Sequence, residues 1–247
     1  MGTIDGDVAI EQQVWTRVDS LEFFSEHRNR VEDLYPSERR FLPQVLPVVR
    51  SVLDIGCAGG GFSRIMKAFN PAVEYTGVDV NSTFVERATA AYPDSRFLAG
   101  DGIHFDTPPN SYDLVHSMGI LHLNSRYEEI VRAGYEQARR FLLCDFRLTP
   151  GSCVEGTFRL AFKKDDSQER LLPYIVPNTR ALLDMLLSLR PGPARVSGFG
   201  YYHPPSSMAE IPLSEVLMAV FLIEKDGGGS GPTVIDLDWP DAEAATR

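Results

Sequence analysis

Between residues 51 and 148, short apolar runs alternate with amphipathic stretches. "SVLDIG", "EYTGVDV", "SRFLAGD", "SYDLVHSMG" and "RFLLCDFRL" read as strands. "GFSRIMKAF", "FVERATAAY" and "RYEEIVRAGYEQARR" read as helices, with Asn81, Ser82 and Thr83 as capping candidates for the second. Strands this uniformly apolar are buried on both faces, and strands in strict turn with helices predict a parallel sheet covered on each side. The rhythm changes after Leu148. "EGTFRLAF" predicts an extra strand, and "NTRALLDMLLSL" a helix capped by Asn178. "ARVSGFGYYH" and "SEVLMAVFLIEK" predict two strands with no helix between them, an antiparallel hairpin that closes the sheet. The expectation is an α/β fold with a mostly parallel, seven-stranded sheet.

The flanks differ in character. Residues 1–50 are polar and helix-like, with aromatic anchors at Trp15, Phe23, Phe24, Tyr35 and Phe41, and predict a helical cap or lid over the domain at 51–225. Residues 226–247 open with "DGGGSGP" and carry five acids against one arginine. That composition predicts a flexible acidic tail, with a docked short strand over "TVIDLDW" as the alternative.

The stretch "SVLDIGCAGGGFSR" ends a strand in an acid and then removes side chains from the turn that follows. A phosphate-binding P-loop needs Lys and Ser or Thr after its last glycine, and Gly61 is followed by Phe62 and Ser63. A dinucleotide turn of the GxGxxG type has Ala58 where its second glycine belongs, and Asp54 would repel a pyrophosphate. A ligand without phosphate fits the acid better. The spacing continues the pattern. Asp79 in "GVDV" lies 23 residues beyond Gly56, Asp101 in "AGDG" 22 beyond that, and Asp113 in "YDLVHSMGILHL" another 12. Each marker is read at a strand's C-terminal end, where an open α/β sheet places its ligand.

"LDIGCAGG" with these followers resembles the class I S-adenosylmethionine (SAM)-dependent methyltransferases, over residues 51 to about 148. The resemblance implies a Rossmann-like three-layer sandwich and SAM as cofactor, with S-adenosylhomocysteine as product and no metal. It implies Asp54, Gly56, Ala58 and Gly60 at the glycine turn, and Asp79 with Val80 at the ribose. It also implies Asp101 with Gly102 at the adenine, and Ser117 beside the methionine part. Ala58 departs from the family's glycine, and no Gly-Gly turn precedes "RFLLCDFRL", which places Arg147 and Leu148 near the site. His122, His203 and Tyr174 are the catalytic candidates; two have bland alternatives, His122 as a structural residue and His203 as a surface hairpin corner. Arg28 and Arg30 are candidates for the SAM carboxylate.

Composition narrows the function. The chain has 247 residues, 43% hydrophobic and 23% charged, enough for a real core. Its net charge of -10, from 24 basic and 34 acidic residues, disfavours nucleic acid and anionic membrane surfaces, although RNA-modifying enzymes can be acidic with a local basic patch. Cys57, Cys144 and Cys153 form neither a CxxC pair nor metal-ligand spacing, and they point to a reducing compartment. No secretory leader and no apolar run of ~20 residues is legible. The resulting expectation is a cytoplasmic monomer or homodimer that methylates a small molecule in a biosynthetic role. Two alternatives stand beside it. One is a SAM-consuming cyclase that releases methylthioadenosine, as azetidine-2-carboxylate-forming enzymes of similar fold do. The other is a non-catalytic SAM- or partner-binding protein.

Overall fold

A computed structural model of the chain describes residues 15, 28–160, 170–205, 209–225 and 231–240. Phe23 and Phe24 lie outside these residues. The parallel part of the sheet is β1 (Ser51–Ile55), β2 (Glu74–Asp79), β3 (Arg96–Ala99), β4 (Tyr112–Ser117) and β5 (Ala138–Leu148). A two-stranded antiparallel hairpin stands apart from it, β6 (Val154–Leu160) with β7 (Arg170–Val176). The main sheet is completed by β8 (Pro193–His203), β9 (Val216–Lys225) and β10 (Val234–Asp238). Its order is β10-β8-β9-β5-β4-β1-β2-β3, and only β9 runs against its neighbours.

The predicted α/β class, the mostly parallel sheet and the antiparallel pair are all present, but the sheet has eight strands and not seven. The eighth is the "VIDLD" segment, which pairs in parallel with β8 from Val234↔Arg195 to Asp238↔Phe199. Leu237 and Trp239 pack on the core beside it, and Trp239 meets Phe221 edge-on at 5.8 Å. Acidic composition hid a strand whose apolar contacts come from a few residues in and just past it.

Among the described residues, five helices cover the faces: α1 (Pro36–Val45), α2 (Gly61–Phe69), α3 (Ser82–Ala91), α4 (Tyr127–Gln137) and α5 (Thr179–Leu187). Strand alternation sorts the core between them. Leu142, Cys144 and Phe146 of β5 face α4 and α5, where Ile130, Tyr135, Leu182 and Leu186 are buried. Val52, Leu114, Leu143 and Leu222 face α1 and α2, against Leu42, Val45, Ile65 and Met66. These are the three layers the resemblance implied. The helix α4 runs into β5 with no intervening residue. Lys225 spans that junction, donating to the carbonyls of Glu136 and Ala138. The missing glycine turn is thereby replaced by a direct helix-to-strand passage. Asn178 caps α5 as expected, accepting from the backbone N–H groups of Arg180 and Ala181.

Candidate active site

The glycine turn closes between β1 and α2. Gly56 and Gly60 hold φ of 78° and 81°, in the left-handed region that glycine adopts freely. A side chain at Gly56 would collide with Ile120, and one at Gly60 with Phe97. Ala58 also takes a left-handed φ of 45°. The turn therefore survives the Gly-to-Ala departure, with alanine held where L-residues pay about 1 kcal/mol or more. Cys57 packs inward against Gly77, and burial pushes its thiol well above the ordinary range, so it is a filler and not a nucleophile.

Asp54 is buried beneath this turn. One oxygen meets His116 Nδ1 at 2.7 Å, and the other accepts from the Tyr75 hydroxyl. Asp79, at the end of β2, faces the turn. Its Oδ2 accepts from the Ala58 N–H at 2.8 Å, and its Oδ1 from the Asn81 N–H at 2.9 Å. An ionised carboxylate has about four acceptor positions. Asp79 therefore keeps one on each oxygen, the number that a pair of ribose hydroxyls would fill. Loss of water around it raises its pKa to about 6, against the opposing pull of the two N–H bonds. Val80 follows, half-buried, in the turn before α3. Asp101 sits beyond β3 with Oδ1 accepting from the N–H groups of Ile103 and His104, and Oδ2 paired with the His104 ring at 2.7 Å. One position on Oδ2 stays open, enough for one amine. Partial desolvation raises the Asp101 pKa, but these bonds outweigh it and hold the group below the usual range. Gly102 has φ of 76°, and a side chain there would strike Ile55.

The far wall is the end of β4. Among the described residues, Ser117 Oγ, His116 Nε2 and His122 Nδ1 are buried with no hydrogen-bond partner. Buried polar atoms are otherwise paired in more than nine cases of ten. Three such atoms within seven residues, opposite a glycine cradle, are what a polar ligand would satisfy. That fits SAM, which carries hydroxyl, ammonium and carboxylate groups and no phosphate.

Above this wall lies a polar cluster. Asp145 and Arg147 are two apart on β5 and share its α1-facing side, where they form an ion pair with side chains 9% and 11% exposed. Asp145 also accepts from the Gly119 N–H at 2.7 Å. Its pKa is raised by burial, but Arg147, His122 and Gly119 outweigh this and hold it low. Arg28 pairs with Glu38 at 3.0 Å, and its guanidinium lies over the Tyr35 ring at 4.2 Å. Glu38 gives its second oxygen to the Tyr35 N–H at the start of α1. His122 meets Tyr174 edge-on at 5.1 Å. Burial first, and then Arg147, press the His122 pKa well below its ordinary value.

The structure thus gathers His122 and Tyr174, but His203 sits at the exposed end of β8 with its ring bonded to the Pro204 carbonyl. Arg28 reaches the glycine side, since a side chain on Gly61 would strike its carbonyl, and Arg30 is exposed. Trp15 crosses the opening. Its carbonyl accepts from Asn81 at 2.6 Å, while its ring packs on the cluster of Leu123 and Tyr174. Sequence reasoning missed Glu38 and Asp145. The signal was present for Asp145: two charges two apart in "CDFRL" lie on one face of an otherwise apolar strand.

Residues 52–142 match the family model described as a methyltransferase domain. The fatty-acid O-methyltransferase of Mycolicibacterium smegmatis is 33% identical over 82 residues, 32% of this chain and 30% of that one. The tRNA (carboxymethyluridine(34)-5-O)-methyltransferase of Saccharomyces cerevisiae is 22% identical over 153 residues, 60% of this chain and 51% of that one. The chain therefore spans between about a third and a half of these relatives' length. The presence of a tRNA enzyme among them removes the support for excluding nucleic acid on charge alone. Among solved structures, the N-terminal domain of EvdMO1, determined with SAH and D-fucose, shares the fold at a TM-score of 0.57 and 13% identity, over 82% of this chain and 85% of that one. Residues 52–142 are thus similar to a methyltransferase domain, the family that the glycine turn and the acids after it resemble.

Proposed function

We propose that the protein transfers the methyl group of SAM to a small-molecule acceptor bound between the strand ends of β4 and β5 and the N-terminal segment. The observation that carries this reading is the adjacency of two features. One is the glycine cradle with the two open acceptor positions on Asp79; the other is the polar cluster around Arg147. SAM supplies an electrophilic methyl carbon on its sulfonium, so the protein's task is to orient a nucleophile and keep water out. Asp79 takes the ribose hydroxyls and Asp101 the adenine amine, with Val80 and Gly102 against the adenosine. The backbone of Gly56, Ala58 and Gly60 lines the turn, while Asp54 holds it from below. Ser117 and Arg28 serve the methionine end. Tyr174 and His122 face the acceptor, and His203 is left at the rim.

Purified protein incubated with SAM tests the reading. SAH that forms only when an acceptor is added supports it, with unmodified tRNA included as one acceptor. Methylthioadenosine from SAM alone would replace it with the ring-forming reaction, and binding with neither product would leave a non-catalytic SAM-binding protein.

A further inference from the structure

The geometry points to a carboxylate as the acceptor group, held by the Arg147 guanidinium beside the Tyr174 hydroxyl and methylated on oxygen; this rests on the methyl-transfer reading above. The first support is the state of the cluster's bases. Glu38 has one oxygen on Arg28 and the other on the Tyr35 N–H. Asp145 has one on the Gly119 N–H and the other on Arg147. As on Asp79, each oxygen keeps an open position, but a proton taken there would leave Arg28 or Arg147 without the charge it is paired with. His122 is the remaining base, and a proton on it would place a second buried cation near Arg147. Burial and that neighbour both disfavour it. An acceptor that arrives already deprotonated needs none of these groups.

The second support is the donor set. A guanidinium has five N–H donors in a planar fork. Arg147 bonds Asp145 through Nη1, and its other nitrogens have no carboxylate partner among the described residues. The Tyr174 hydroxyl already accepts from the same guanidinium, which leaves the remaining donors of the fork for an acceptor. A fork of this kind matches a carboxylate in two parallel bonds, whereas an alcohol takes one and an ammonium none. The charges agree. Arg28 with Glu38 and Arg147 with Asp145 balance, so an anionic acceptor offsets the incoming sulfonium and an ammonium would add to it.

The step balances without a proton. A carboxylate oxygen gives an electron pair to the methyl carbon, and the carbon–sulfur pair stays on sulfur. A methyl ester and a neutral thioether result. The ester has lost its negative charge and with it most of its hold on Arg147, which favours release.

Matched binding pairs test this. SAH-loaded protein is titrated calorimetrically with acetate through decanoate, benzoate, phenylacetate and a set of di- and tricarboxylates, each beside its alcohol and amine counterparts. At least one acid should bind about 10- to 100-fold more tightly than its alcohol, the range of a charge-assisted bond. The methyl group carried from labelled SAM to that acid should be released as methanol by mild alkali. Asp145→Asn combined with Arg147→Gln removes both charges of the buried pair without stranding either. That variant should keep SAH affinity and lose the preference for acids. No acid preferred over its alcohol, a preference that persists in the double variant, or an alkali-stable methyl product would each overturn the carboxylate assignment. Failure of SAH itself to bind would overturn the methyl-transfer reading, a result separable from the others.

Discussion

Asp79 holds two backbone N–H groups and keeps two open positions, so its removal takes away a brace of the glycine turn and, on the proposed reading, the ribose acceptor. Asp79→Ala should weaken SAM binding by about 2–4 kcal/mol, as measured by titration calorimetry. Its pKa of about 6 lies above the unfolded value near 3.8. A raised carboxylate pKa means that ionisation costs stability. The free protein should therefore gain stability from this group as pH falls from about 6 toward 4. SAM affinity should move the other way, falling through pH 6 as the acceptor is protonated; an affinity flat from pH 7 to 5 would remove Asp79 from the ribose site. Ala58 gives a second test. Glycine there relieves a left-handed φ but adds unfolded-chain entropy, so Ala58→Gly should be neutral or stabilising by up to about 1 kcal/mol. A loss of 1 kcal/mol on denaturant melting would show that the turn carries no strain. Asp54, Asp79 and Asp101 were legible because each lies at or just past the C-terminal end of a strand; Asp113 breaks the pattern, since it opens β4 and accepts from the Arg50 N–H and from Arg139. Glu38 was not, because its role depends on α1 folding back over the far end of the sheet, and nothing local in "PSERRF" announces that.

At the scale of elements, periodicity found all five strands of the parallel half and the closing pair, since strands buried on both faces stand out as apolar runs. It failed at β10, where only Leu237 within the strand and Trp239 just past it reach the core. Gly198 explains the fit: a side chain there would meet both Trp239 and Leu237. The docked strand changes what truncation should do. Removing residues after Lys225 should lower the melting temperature by several degrees, and Trp239→Ala alone should cost about 2 kcal/mol, less than a fully buried tryptophan. A melting curve unchanged by truncation would mean that β10 adds nothing to the sheet. The β6–β7 hairpin was half legible. "EGTFRLAF" read as a strand, but its partner "RLLPYIV" contains Pro173, which suits an edge position and weakens the sequence signal.

Across the whole molecule, two described N-terminal residues touch the elements around the glycine turn: Trp15 at Asn81 and Arg28 at Gly61. We propose that this segment is the lid expected from its aromatic pattern. SAM or SAH should then slow amide exchange in the N-terminal residues through Val45 far more than in α5; equal protection with and without ligand would make the segment a permanent part of the core. The seat of α1 has a further consequence. Its neighbours in the fold include β8 and β9, and β9 begins some 180 residues further along the chain. During synthesis at roughly 5–20 residues per second, the helix leaves the ribosome on the order of 10–40 s before the surface it packs on exists. For that interval Phe41, Leu42, Val45 and Leu46 have no complete core to join. The nascent segment around α1 is a natural client for a chaperone, and β8 and β9, once they emerge, act as the latch that ends the wait.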